Sequence, residues 1–258
     1  GVKLAEKGYK EAKEIAMNLI EKNASGGVWQ IGRNLAENGG GEEAYKIAME
    51  LIEKNASGGV WQIGRNLAEN GGGEEAYKIA MELIEKNAFY RVWLIGVKLA
   101  KNGGGKEAKE IAINLIKKNE FHRVWEIGEA LAENGEVEEP NKFAMELIEK
   151  NWLGGVVEIG VKLAENGGVK EAKDIAINLI KKNKFHRVWQ IGVKLAEKGE
   201  VEEAKEIEMK LIEKNELHMV WQIGESLAEN GGVEEANMIR YQINNRNNAI
   251  GKSCCTIS

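Results

Sequence analysis

Residues 24–55 read ASGGVWQIGRNLAENGGGEEAYKIAMELIEKN, and the same 32 letters recur unchanged at 56–87. Working outward, one asparagine phase runs through Asn23, Asn55, Asn87, Asn119, Asn151, Asn183 and Asn215. One glycine phase runs through Gly32, Gly64, Gly96, Gly128, Gly160, Gly192 and Gly224. A period of about 20 to 50 residues marks an array whose units bury their apolar faces only against neighbours. Within the unit, Val28, Ile31, Gly32, Leu35 and Ala36 fall at helical spacing, and Ala44, Ile47, Ala48, Leu51 and Ile52 do so again. Each unit therefore predicts two amphipathic helices. Asn38-Gly39-Gly40-Gly41 stops the first helix, because glycine enters the left-handed region at little cost. Glu42 and Glu43 favour the positive start of the second, and Lys54 with Asn55 closes it. Pro140, the only proline, stands in the first turn of a second helix, where a missing N–H is tolerated. Gly32 and its equivalents sit inside a helix, at about 1 kcal/mol relative to alanine, which predicts the close approach of a neighbouring helix.

The expected fold is all-α: tandem 32-residue helix-turn-helix repeats forming one elongated right-handed α-solenoid. Residues 1–23 are a partial repeat, seven repeats run from 24 to 247, and 248–258 read as a flexible tail. The chain opens part-way through a repeat, which leaves Val2, Leu4 and Ile15 uncovered and predicts end-to-end self-association. At the other end Arg240 and Asn244 replace inward apolar residues, as a cap would.

Composition narrows the chemistry. A net charge of −5 argues against a general nucleic-acid binder. Glu42-Glu43 argues the same against a nucleic-acid-reading repeat, since a phosphate contact at that helix start would want a base. Charge is unevenly spread: residues 88–119 hold 7 basic and 2 acidic groups, whereas 120–151 hold 3 and 9. No run of about 18 apolar residues predicts a transmembrane helix. A single aspartate, Asp174, and a single threonine, Thr256, leave little room for an EF-hand, an aspartyl phosphoryl site or a Ser-His-Asp triad. The glycine runs lack the Lys-Ser/Thr of a phosphate loop. Asn23-Ala24-Ser25 and Asn55-Ala56-Ser57 match the glycosylation sequon as a by-product of the helix-end asparagine. His122, His186 and His218 lie in different units without a nearby ligand partner, so no metal is expected. No enzymatic activity and no cofactor are expected either.

The spacing Val28-x2-Ile31-Gly32-x2-Leu35, with Ala44 twelve residues after the glycine, resembles the tetratricopeptide repeat and recurs in every complete copy, with Pro140 in the alanine's place once. That resemblance implies an inner face lined by the first helix of each unit, which takes a protein or peptide at the positions of Gly26, Trp29 and Arg33. The first of these varies: Gly26, Gly58, Tyr90, His122, Gly154, His186, His218. Beside it stand Gly27, Gly59, Arg91, Arg123, Gly155, Arg187 and Met219. Variation there over a fixed core suits a shared scaffold with a changeable surface. Trp29, Trp61, Trp93, Trp125, Trp189 and Trp221 form a ladder broken by Val157, which reads as inter-repeat core and as an aromatic groove floor. The ladder together with Tyr90, Arg91, His122, Arg123, His186, Arg187 and His218 is the expected partner-binding set.

The chain ends in Cys255-Thr256-Ile257-Ser258, which resembles a CaaX prenylation box with a serine that favours farnesyl. The resemblance implies farnesyltransferase as a partner, modification of Cys255, and a lipid tether to the cytoplasmic face of membranes. One isoprenyl chain anchors only reversibly, so Cys254 is expected to carry a second acyl group. Without the lipid the expected location is cytoplasmic. The expected function is a membrane-tethered, non-enzymatic protein- or peptide-binding scaffold, eukaryotic or a bacterial effector acting inside a host. A designed or plain soluble repeat scaffold without lipid is the alternative.

Overall fold

The structure is a computed structural model that describes residues 1–217, 220–238, 240 and 241. Helix makes up 69%, about twice the ordinary share, and no strand occurs among the described residues, so the chain is all-α. It divides into two compact units between Asn134 and Gly135.

The first unit runs α1 (Val2–Ala5), α2 (Ala12–Glu21), α3 (Trp29–Glu37), α4 (Gly41–Glu53), α5 (Val60–Glu69), α6 (Gly73–Glu85), α7 (Trp93–Lys101), α8 (Gly105–Lys117) and α9 (Trp125–Glu133). The second runs α10 (Glu138–Glu149), α11 (Val156–Glu165), α12 (Val169–Lys181), α13 (Trp189–Glu197), α14 (Val201–Glu213) and α15 (Val220–Glu229). Each unit has two layers. In the first, α3, α5, α7 and α9 pack side by side over the row α2, α4, α6 and α8; in the second, α11, α13 and α15 lie over α10, α12 and α14. Within each unit the paired helices also pack on each other, α3 on α4, α5 on α6 and α7 on α8 in the first and α11 on α12 and α13 on α14 in the second, so the apolar stripes meet between the layers.

The helix ends follow from local chemistry. Gly39 enters the left-handed region at φ +85°, and the Gly40 N–H then returns to the Leu35 carbonyl at 2.8 Å. The longer helices end on asparagine instead. Asn55 takes φ +55° and the Ala56 N–H reaches the Leu51 carbonyl at 2.8 Å, a reversal that asparagine tolerates better than most side chains. Gly32 lies where a Cβ would sit 2.5 Å from Ile63 Cδ1 of α5, and Gly160 stands equally close to Ile191 of α13, so the helix-interior glycines do mark close approach. Leu4, Ile15 and Arg240 are exposed.

One core residue escapes the sequence reading. Ala48, Ala80, Ala112, Ala144 and Ala176 are all 0% exposed, and the same phase next holds Glu208, also 0% exposed. Neither carboxyl oxygen of Glu208 has a hydrogen-bond partner. Burial pushes its pKa up to about 8, and the facing backbone amide of Gly224 lowers it only in part. A neutral carboxyl therefore sits between α14 and α15.

Candidate functional site

Each long helix hands over to the next short helix through the same tight turn. The valine N–H that opens the short helix donates to the carbonyl three residues back: Val28 to Ser25 at 3.1 Å, Val92 to Phe89 at 3.1 Å, Val124 to Phe121 at 3.3 Å, Val188 to Phe185 at 3.1 Å. The residue before the valine must then adopt positive φ. Gly27 does so at +78°, Gly59 at +120° and Gly155 at +79°. Arg91, Arg123 and Arg187 take the same place at +58°, +60° and +59°. A Cβ in this region costs about 1 to 2 kcal/mol, so three of these turns hold strain that glycine would relieve.

Stacking and ion pairing hold the arginines. The Arg91 guanidinium lies 5.0 Å from the Trp61 ring centre and 5.1 Å from that of Tyr90, and Arg123 lies 4.5 Å over Trp93. Arg123 Nε also pairs with Glu126. Arg187 meets no tryptophan, because the matching phase holds Val157, and its Nη1 pairs with Glu158 instead. Exposed contacts of these kinds contribute about 0.5 to 1 kcal/mol each, so the two on Arg91 and the two on Arg123 are comparable to the strain, and the single pair of Arg187 offsets only part of it. At Gly59 the ring takes the vacated space, since a Cβ there would sit 2.7 Å from Trp29, whereas a Cβ at Gly27 would meet nothing within 4 Å.

Two consecutive turns enclose a cavity in each unit. In the first unit Tyr90 and Arg91 face His122 and Arg123 across about 400 Å³, with Trp93 and the buried Leu115 beneath. Phe89 and Glu120 complete the lining. In the second unit Gly154 and Gly155 face His186 and Arg187 across about 560 Å³, over Val157 and Leu179. There Leu153, Phe185 and Lys184 line the wall, so the charge at the Glu120 phase is reversed.

The structure thus brings together Tyr90, Arg91, Trp93, His122 and Arg123 in one cavity and His186 with Arg187 in the other. Trp61 is buried at 8% exposure and serves as the platform for Arg91, whereas Trp221 is 54% exposed. Trp29, Trp93, Trp125 and Trp189 are half-buried. Arg33 pairs with Glu37 and lines neither cavity. His218, Met219, Cys254 and Cys255 lie outside the described residues. Sequence reasoning missed Phe89, Phe121 and Phe185, although a signal was present. The triplets read Phe-Tyr-Arg or Phe-His-Arg where arginine occurs, and Ser-Gly-Gly or Leu-Gly-Gly where glycine does.

Among the described residues no group of three His, Cys, Asp or Glu is placed to hold a metal, and no helix is long and apolar enough to cross a membrane. Compared with known proteins, the chain matches no family model, no curated relative and no solved structure.

Proposed function

We propose that this chain is a non-enzymatic helical-repeat scaffold whose tandem 32-residue units wind into a right-handed solenoid and capture a protein or peptide along the turns between them. One observation carries the reading. Arg91, Arg123 and Arg187 occupy a backbone conformation that sister turns give to glycine. Folding alone gives the arginine no clear advantage over glycine, and strain of this kind is found where the side chain serves a purpose other than stability. A guanidinium already stacked on a ring loses little freedom when a ligand arrives, and its planar fork of N–H donors suits carboxylates and backbone carbonyls. Tyr90, 68% exposed, adds a rigid aromatic surface of the sort that anchors interfaces.

The test is a random peptide library displayed against the immobilised protein, with counter-selection on the variant Tyr90→Gly/Arg91→Gly/His122→Gly/Arg123→Gly. That variant copies the glycine pairs at 26–27 and 58–59, so the turn itself is preserved. Enriched peptides that lose at least about tenfold in affinity on the variant support the proposal, a difference of about 1.4 kcal/mol. Enrichment indifferent to the turn residues, or none at all, would overturn it.

A further inference from the structure

The two cavities differ most where the tryptophan ladder breaks. In the first unit the Trp93 ring fills the space beneath the turns and carries Arg123 on its face. In the second unit Val157 stands in that phase, Gly154 and Gly155 replace Tyr90 and Arg91, and the volume grows from about 400 to about 560 Å³. The wall is apolar where a ring would lie, through Leu153, Val157, Leu179 and Phe185. Arg187 remains at the rim, half exposed, held by Glu158 in a turn of the same geometry as that of Arg123.

We infer that the cavity of the second unit receives an aromatic side chain from the ligand, an indole for preference, next to a ligand carboxylate. The ring replaces the missing tryptophan of the ladder. Arg187 covers its electron-rich face as Arg123 covers Trp93, and Lys184 meets the carboxylate. Charge complementarity selects this occupant. Lys184 stands where the first cavity has Glu120, so an acidic group that the first cavity would repel at that point is welcome in the second. The inference rests on the peptide-binding proposal above and names the anchor that this part of the surface takes.

N-acetyl-L-tryptophan is the probe, with its uncharged amide and N-acetyl-L-leucine as comparisons. The readout is the chemical shift of the Gly154 and Gly155 amides in a ¹⁵N-labelled sample. Saturable shifts are expected with N-acetyl-L-tryptophan, about threefold weaker binding with the amide, and at least about tenfold weaker binding with the leucine compound. Val157→Trp restores the ladder residue that other repeats carry, and it should abolish the shifts. Arg187→Gly, the residue of the glycine turns, should weaken binding about threefold without disturbing the turn. Shifts that survive Val157→Trp, equal binding of the leucine compound, or no saturable shift at Gly154 and Gly155 would each overturn the inference. Should the display selection still depend on Arg91 and Arg123 in that event, the peptide-binding proposal stands and only the aromatic anchor falls.

Discussion

Two cavities built on one backbone plan share a His-Arg pair on one side, His122-Arg123 or His186-Arg187, and differ in the side chains that face it from the preceding turn. Both have a buried leucine beneath, Leu115 or Leu179, and both lie between turns closed by the same hydrogen bond. Above that floor the first holds Tyr90, Arg91 and Trp93, the second Gly154, Gly155 and Val157. The lesson is that core and rim are separable. Helix-end asparagines, interior glycines and the Val–Ile–Leu stripe hold the backbone, so the turn triplet is free to change without moving it. The cores are less alike than that suggests, because the second unit alone buries a carboxyl, Glu208, in the alanine phase.

That core difference gives the largest expected effect. Glu208→Ala restores the residue of the five preceding repeats and removes a buried carboxyl that lacks a well-formed hydrogen bond. The ordinary carboxyl value of 4.5 rises to about 8 on folding, which sets the pH-dependent part of the gain at about 5 kcal/mol. The sign follows from the raised value: the folded state holds the proton more tightly. Stability linked to Glu208 is therefore complete below pH 4.5, declines as pH rises, and is lost above about 8. Urea unfolding and hydrogen exchange of α14 amides at pH 5 and pH 9 should show the variant gaining far more at the higher pH. An equal gain at both would mean that the carboxyl is not buried as described.

A smaller effect should show that the scaffolds are otherwise alike. Gly96→Ala places a Cβ 2.6 Å from Ile127 Cδ1, and Gly160→Ala places one 2.5 Å from Ile191 Cδ1. Overpacking of about 1 to 3 kcal/mol is set against about 1 kcal/mol of helix propensity gained. Both variants should thus lose about 1 kcal/mol, and by similar amounts, in denaturant titrations. A cost in one unit alone would break the comparison.

The fold was legible because the apolar spacing and the Asn and Gly phases are local signals, repeated until chance is excluded. The interior glycine is legible as a packing device because Gly32 recurs at one phase inside a helix, where glycine is otherwise unfavourable. The arginines were singled out by their variation, but their strain was not, since a backbone dihedral leaves no mark on a side-chain pattern. Seeing it required only the observation that Arg91, Arg123 and Arg187 alternate with Gly27, Gly59 and Gly155 in one phase. Helical periodicity points to the helix face, whereas the cavities open at the turns between helices, where Phe89 and Phe185 stand. Glu208 was missed because one glutamate among many looks like solvated surface until its phase is counted.

The central claim is that the arginine turns are kept for a ligand and not for the fold, and one variant tests it. Arg91→Gly/Arg123→Gly/Arg187→Gly removes the strain together with the stacking and pairing of comparable size that offset it. Its unfolding free energy, measured beside its affinity for the display-selected peptides, should stay within about 1 kcal/mol of the parent or rise above it, while binding falls at least about tenfold. A loss of several kcal/mol with peptide binding intact would contradict the account and make the arginines part of the scaffold.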